Sequence, residues 1–428
     1  MKIPRILLTC CLMAGLAPAL AACGSSSNNN SGASNTGTSS SGSSGKTIDI
    51  YSSLPLLGSL TADTIPLLKG EKLALSQAGN KAGQFNVKFI SLDDATAAAA
   101  NYTVSQCASD GRTAAADPKA IAYIGEFNSG CTEASLPILN KEMVPMISPA
   151  NTYVGLTTSE PGSAPGEPGK YYPSGVRTYL RIVPRDSIQA GADALAMKQA
   201  GCTRVAIAND KTPYGAGIAT QIELIKKDYG LNVVSNSGIN PTAPNFRSYA
   251  QTIKGEGADC FFFGGLTSTG GIQITKDVHS AIPKAKLFGP DGMCDSAWTD
   301  PKSGGVPLSL DPLMECTVAT LDLSAYPGGR TFLKAYEAKY GGGVPAPYAI
   351  YGYEAMKLVL DTIAKLGPQG DSKSAVLHAL FATKDRNSVL GTYSFDKNGD
   401  TTLKAYGLYK VANGQLKFYK TLTPTHIV

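Results

Sequence analysis

The sequence predicts an α/β protein of two doubly wound parallel-sheet lobes. Three observations predict it. From Thr47 onward, strand-like runs alternate with helical runs, the order that gives a parallel sheet with helices on both faces. A Gly- and Pro-rich stretch at 157–175, TTSEPGSAPGEPGKYYPSG, interrupts the alternation, which then starts again. Residues 46–428 are also too many for one ordinary core, so two lobes are expected.

The elements follow in order. TIDIYSSLP reads as a strand, LLKGEKLALSQAGN as a helix closed by Gly79-Asn80, and FNVKFISLDD as a strand. The segment around NYTVSQCASDG is helical, AIAYIGEFNSG is a strand and loop, TEASLPILNKEM a helix, and VPMISPANT a strand leading into a loop. After RTYLRIVPRD come the helix IQAGADALAMKQAG, the strand RVAIAND, the helix YGAGIATQIELIKKDYG and the strand LNVVSNSGI. The helix NFRSYAQTIKGEG, strand CFFFGG, helix GGIQITKDVHSA and strand AKLFGPDG complete the second unit. Ligands of open α/β sheets sit outside the carboxyl ends of the strands. Two facing sheets should therefore collect IGEFNSG, SPANT, ANDKTPYG, FGGLTS and FGPDG at one cleft.

The N-terminus carries an address. Residues 1–22 have a basic start (Lys2, Arg5), no acidic residue, and an apolar segment from Ile6 to about Leu16. This is the layout of a secretory signal peptide, too short and wrongly flanked for a transmembrane helix. Leu20-Ala21-Ala22-Cys23 resembles the lipobox of bacterial lipoproteins, in which the cysteine takes a diacylglycerol. An ordinary secreted protein with a chance Cys23 is the alternative. Residues 24–45 are only Gly, Ser, Asn, Thr and Ala, a flexible tether of reach about 25 Å. A domain anchored through Cys23 to the outer face of a membrane is expected. No second long apolar run exists to span one.

The net charge of +5 is weak for this length and falls further without Lys2 and Arg5. No Lys/Arg block is present, which argues against nucleic acid. Of nine cysteines, Cys10 and Cys11 leave with the signal and Cys23 is the anchor. Six remain: Cys107, Cys131, Cys202, Cys260, Cys294 and Cys316. An even count in an exported domain favours disulfides. Cys202 and Cys260 each open a strand-like run, and neighbouring strands lie at a spacing compatible with a disulfide. Cys107 sits in a helical stretch, Cys131 follows the next strand, and Cys294 and Cys316 flank one Gly/Pro-rich loop. The favoured pairs are 107–131, 202–260 and 294–316, with free buried thiols as the alternative. A metal site is not expected, since no C-x-x-C occurs and His279, His378 and His426 are scattered.

Several motifs fail on inspection. GEFNSGCT has P-loop spacing, but Cys131 stands where the lysine belongs. GGLTSTGG does not match G-x-G-x-x-G. DKNGD at 396–400 has its glycine two places too early for a calcium loop and reads as a hairpin turn. Neither G-x-S-x-G nor H-E-x-x-H is present.

The lipobox, the tether, and then YIGEFNSGCTEASLPIL, MISPANT, ANDKTPYGAG, FFGG, FGPDG and FDKNGD in that order resemble the type I periplasmic binding proteins. The resemblance runs from about Thr47 to Val411 and is strongest to the leucine/isoleucine/valine-binding class, which serves ABC importers. It implies two α/β lobes joined by three crossing strands, lobe one at about 46–180 with 320–388 and lobe two at 181–319 with 389–428. It also implies a clamp for a zwitterion. Ser129 corresponds to a residue whose hydroxyl and amide hold an α-carboxylate, a role suited to a helix N-terminus. Ala150 supplies a carbonyl for the ammonium and Thr152 a hydroxyl/amide pair. Tyr214 covers the ligand from lobe two. Asp291 stands where the family typically has a glutamate that pairs with the α-ammonium. Each has a plainer reading: Ser129 as a helix cap, Thr152 and Asp291 as turn residues, Tyr214 as packing.

Two departures alter the implied pocket. Asp291 is one methylene shorter than glutamate, and Leu266 replaces an aromatic. The loop 157–175, with Tyr171 and Tyr172, is longer than the family core needs and is a candidate roof for the cleft. Tyr348, with Tyr351 beside it, is placed at the apolar end. The ligand implied is a larger or different amino acid, or an amide. The reading is an extracytoplasmic, lipid-anchored, monomeric solute-binding protein that takes an amino-acid-like molecule to an ABC permease. It has no cofactor and no catalytic residues. A ligand sensor on the same fold is the first alternative. A secreted hydrolase would need a nucleophile–base pair in the cleft, and none is visible.

Overall fold

The computed structural model describes residues 45–428. The expected signal peptide, the lipidation site Cys23 and the tether up to Ser44 lie outside the described residues. In the first half the chain runs β1 (Thr47–Leu54), α1 (Thr61–Gln77), β2 (Lys81–Ala82), β3 (Phe85–Asp93), β4 (Ala95–Thr96), β5 (Asn101–Tyr102), α2 (Val104–Ala115), β6 (Ala120–Ile124), α3 (Ser129–Lys141), β7 (Met146–Ser148) and β8 (Tyr179–Arg181). Six of these strands form one sheet in the order β2-β3-β1-β6-β7-β8. All its pairs are parallel except β2–β3.

The second sheet draws on the next segment: α4 (Asp186–Gln199), β9 (Arg204–Asn209), α5 (Pro213–Ile225), β10 (Asn232–Gly238), α6 (Arg247–Gly255), β11 (Cys260–Gly264), α7 (Gly271–Ala281), β12 (Lys286–Gly289), α8 (Ser296–Thr299) and β13 (Met314–Val318). The chain then returns to the first sheet. α9 (Gly329–Tyr340) and α10 (Ala349–Leu366) pack on α1, and α11 (Lys373–Phe381) on β6. After the small hairpin β14 (Arg386–Ser388) and β15 (Gly391–Tyr393), β16 (Tyr406–Ala412) and β17 (Gln415–Leu422) finish the second sheet. Its order is β10-β9-β11-β12-β13-β16-β17, with an antiparallel end from β13 onward. The result is an α/β fold of two lobes, each with a mainly parallel sheet, joined where the chain crosses after β8, after β13 and before β16. Strands buried on both sides explain the near-continuous apolar runs, such as CFFFG in β11.

Two helix starts differ from the sequence reading. α1 begins at Thr61, not after Pro66, and carries Pro66 inside it. Proline marks a helix boundary because it lacks an N–H donor, but α1 packs along α10, and tertiary packing outweighs one missing bond. α3 begins at Ser129 rather than near Thr132, a shift that matters for the site. The cysteines join as 107–131 (α2 to α3), 202–260 (the entries of β9 and β11) and 294–316 (the loop after β12 to β13).

The loop 157–175 does not roof the cleft: its tyrosines pack in the first lobe, while its Pro161 carbonyl accepts from Gln221 of α5. Tyr171 and Tyr172 are buried in a core cluster with Tyr153, Leu156 and Tyr179. Their hydroxyls donate to Glu167 Oε1 (2.6 Å) and the Leu156 carbonyl (2.7 Å), and Tyr153 donates to Glu167 Oε2 (2.7 Å). Aromatic rings with satisfied hydroxyls make a core, which the loop's Gly/Pro composition conceals.

DKNGD is a hairpin turn: the Asp396 N–H donates to the Asp400 carbonyl (2.9 Å), and Phe395 bridges Thr401 antiparallel. It also locks two crossings together. Gly399 has φ +90° and approaches so closely that a Cβ would lie 2.3 Å from the Tyr179 carbonyl oxygen. The approach delivers Asp400 to Arg181, Nε to Oδ1 at 2.6 Å, with the two side chains 4% and 0% exposed. Arg181 also donates to the Tyr153 carbonyl (2.7 Å) and Thr157 donates to Asp400 Oδ2 (3.0 Å). Breaking such a pair strands a buried charge. Asp400→Asn should therefore lose about 3–5 kcal/mol of unfolding free energy in urea melts. A loss below about 1 kcal/mol, the range of an exposed pair, would contradict this.

Candidate functional site

The carboxyl edges of both sheets open onto one small cavity of about 30 Å³. Ser129, Ala150, Thr152, Tyr214, Leu266, Asp291 and Tyr348 all line it. No residue of 157–175 does, and neither does Tyr351, whose hydroxyl instead donates to the Ala319 carbonyl at 2.6 Å.

On the first-lobe side, α3 points its N-terminus at the cavity. Its N-cap residue is Asn128, which makes no capping hydrogen bond. Ser129 is therefore the first helical residue, not the cap. The N–H groups of Cys131 and Thr132 return to the Asn128 carbonyl. Those of Ser129 and Gly130 have no partner among the described residues, so two donors and the positive end of the helix face the cavity. Beside them, Ser148 turns the chain: its hydroxyl accepts from the N–H of Ala150 (3.2 Å) and of Asn151 (2.8 Å) and donates to the Glu126 carbonyl (2.8 Å). This brings Ala150 and Thr152 to the wall.

On the second-lobe side, Asp210 ties two loops. Oδ1 accepts from the Thr212 N–H (3.0 Å), and Oδ2 accepts from the Leu266 N–H (3.2 Å) and the Thr269 hydroxyl. Tyr214 and Leu266 are fixed as a result. Gly292 lets the third loop close in: a Cβ there would lie 2.7 Å from the Gly265 carbonyl oxygen and 3.0 Å from the Tyr214 ring. At the centre, Asp291 accepts from the Tyr214 hydroxyl on Oδ1 and from the Tyr348 hydroxyl on Oδ2 (2.7 Å). Tyr348 stacks edge-on against Phe127, ring centroids 5.4 Å apart. Burial pushes the Asp291 carboxyl up, while the two phenols and Gln189 pull it back.

The sequence reading missed part of the lining: Asp63 and Asp295, and the aromatics Tyr102 and Phe127. Asp63 follows the carboxyl end of β1, an edge position equivalent to the five loops that were used. Burial, then the like charges of Asp295 and Asp291, raise Asp63 well above the usual carboxylate range. Burial pushes Asp295 to about 6, against the backbone N–H of Trp298 it caps. No Lys, Arg or His is in the lining. Two groups have metal-like spacing, Asp94/Cys107/Cys131 and Cys202/Asp259/Cys260, but all four sulfurs are spent in disulfides. The pocket thus presents a carboxylate at Asp291 on one side and unpaired N–H donors at the start of α3 on the other.

Behind Thr152 lies Asp186, which is fully buried. Its N–H donates to the Thr152 carbonyl (2.8 Å), and neither carboxylate oxygen has a partner among the described residues.

Comparison with known proteins gives the family and the fold. A family model described as periplasmic binding protein matches residues 50–415. The Leu/Ile/Val-binding protein BraC3 of Rhizobium johnstonii is 26% identical over 299 residues, 68% of this chain and 73% of that protein. Among solved structures, the leucine binding protein LivK of Thermotoga maritima superposes with a TM-score of 0.75 at 22% identity, over 88% of this chain and 99% of that one. A solute binding protein of R. palustris in complex with benzoate gives 0.70 at 18%, over 88% and 97%.

Burial pushes Asp186 up to about 8. The folded state thus holds a proton that the unfolded chain releases above about pH 4. Stability from this group falls as pH rises from there to about 8. Urea melts at pH 5 and pH 8 should show the wild type losing stability with rising pH and Asp186→Asn losing less of it. Equal losses would show that Asp186 is ionised at no cost.

Proposed function

The chain belongs to the periplasmic binding protein family, and from that premise we propose that it captures an α-amino acid or close analogue in the interlobe cavity and hands it to an ABC permease. Members of this family are extracytoplasmic solute-binding proteins, and the two-lobed fold is theirs. The observation that carries the ligand class is the polarity of the cavity. The carboxylate of Asp291 lies on one lobe, and the unpaired N–H groups of Ser129 and Gly130 lie on the other. A zwitterion satisfies both ends. Its ammonium would meet Asp291 and the Ala150 carbonyl, its carboxylate Ser129, Gly130 and Thr152. Tyr214 and Tyr348 flank the ammonium, and Leu266 supplies apolar contact. The relatives named Leu/Ile/Val-binding point to the same class. An aromatic acid such as the benzoate held by the R. palustris protein would suit the rings of Tyr102 and Phe127, but it would bring no cation to a lining with three aspartates.

Selection works through closure. A ligand that bridges the lobes favours the closed arrangement by its differential affinity for it, and no chemical step is needed. The lipobox at Cys23 and the tether after it support a membrane-anchored receptor working as a monomer beside its permease. No described helix is long and apolar enough to cross a membrane.

Two experiments test this reading. A thermal-shift screen of amino acids, amides and aromatic acids, followed by calorimetry, should return an α-amino acid. Asp291→Asn, which keeps the shape and removes the charge, should weaken it by about 2–5 kcal/mol, roughly 30-fold or more. An unchanged affinity, or a best ligand without a cationic nitrogen, would overturn the zwitterion assignment. Cys23→Ser should release the protein from the membrane fraction. Retention there would sink the anchor.

A further inference from the structure

The small cavity does not end the site. At about 30 Å³ it holds two or three water-sized groups, roughly an amino-acid head group at about 10–15 Å³ each. A second and much larger chamber, about 630 Å³, adjoins it. Asp63, Asp295 and Tyr348 line both. A ligand clamped by its head group at Asp291 and α3 thus has one roomy direction for its side chain: past Tyr348 and between Asp63 and Asp295.

That direction is acidic. Beyond the shared wall the chamber adds Asp300 and Asp322, against a single cation, Lys417. Asp300 and Asp322 have structural work, since their side chains accept from the N–H groups of Lys302 (2.9 Å) and Ser324 (2.8 Å). Asp295 is 4% exposed, and its Oδ1 accepts from the Trp298 N–H at 2.8 Å. Asp63 differs. Its carboxylate makes no hydrogen bond and no ion pair with any described residue, although it lines both cavities. It is part-buried beside the like charges of Asp295 and Asp291, a setting that an opposite charge stabilises. A neutral branched side chain would leave these like charges without an opposite one.

We infer that the ligand is an elongated α-amino acid with a second, distal cationic nitrogen, received by Asp63 and Asp295 at the junction of the two chambers. This inference rests on the amino-acid reading above and narrows it. Asp291 serves the α-ammonium, and Asp63 with Asp295 serves a guanidinium or ammonium several bonds further out. The larger chamber takes the length of the side chain and the water around its end.

Two near-isosteric pairs test the inference by calorimetry on the purified chain: L-arginine against L-citrulline, and L-lysine against L-norleucine. In the first pair the distal charge alone is lost; in the second the whole distal ammonium is lost. The charged member of at least one pair should bind roughly ten- to hundredfold tighter, the worth of a charge-assisted hydrogen bond. In Asp63→Asn that ratio should fall toward one. Asp63 also sits in the first turn of α1, so melting temperatures of wild type and variant are compared to confirm folding. Should Asp63→Asn fail to fold, Asp295→Asn, which keeps the cap on Trp298, carries the same expectation. Both pairs binding with ratios near one, or a ratio unaffected by either variant, would overturn the distal-cation assignment and leave the amino-acid reading intact. If no α-amino acid binds while other solutes do, the amino-acid reading itself fails, and this inference with it.

Discussion

A carboxylate in a water-poor cleft needs partners, and Asp291 takes its partners from both halves of the molecule. Tyr214 comes from α5, on the second sheet, and Tyr348 from the start of α10, which packs on α1 beside the first. Each donates a phenolic hydroxyl to one oxygen of the same group. In this arrangement the desolvation cost of Asp291 is offset by one donor from its own lobe and one from the other. An open cleft would exchange the Tyr348 hydroxyl for water. Closure and the charge state of one side chain are physically the same problem.

The rest of the architecture holds that point in place. Asp210 fixes the two loops that carry Tyr214 and Leu266, and Gly292 allows the Asp291 loop to approach them. The crossings are braced by Arg181 and Asp400, which carry an opposite-charge pair through the core where a hinge would otherwise be loose. On the far wall, α3 is left without a side-chain cap and so keeps donors in reserve for an anion. Donors on one lobe and a carboxylate on the other give the cavity its polarity. The further carboxylates at Asp63 and Asp295 extend the negative side of that polarity toward the larger chamber.

Much of this was legible in the sequence because it depends on order along the chain. The alternation of strands and helices places strand-end loops at one edge, and the loops SPANT, DKTPYG and FGPDG do meet there, as do Leu266 and Tyr348. Cys202 and Cys260 could be paired because each opens a strand. What stayed hidden depends on contacts between distant segments. The Arg181–Asp400 pair joins residues more than two hundred positions apart, and DKNGD gave only its turn. Asp63 follows the first strand, but nothing in its own segment marks it as a lining residue. Prolines misdirected the start of α1, because helix rules describe isolated segments and α1 is stabilised by α10. The loop 157–175 was a candidate roof because it is longer than the family core needs. Its tyrosines are core residues with their hydroxyls satisfied by Glu167 and Leu156.

The central claim is an orientation: cation to Asp291, anion to the N-terminus of α3. A crystal structure with the tightest-binding amino acid tests it most directly. The account predicts the α-nitrogen at roughly 2.7–2.9 Å from an Asp291 oxygen and the α-carboxylate on the N–H groups of Ser129 and Gly130. A ligand lying the other way round, or seated outside the cavity with the Tyr214 and Tyr348 hydroxyls as Asp291's only partners, would contradict it.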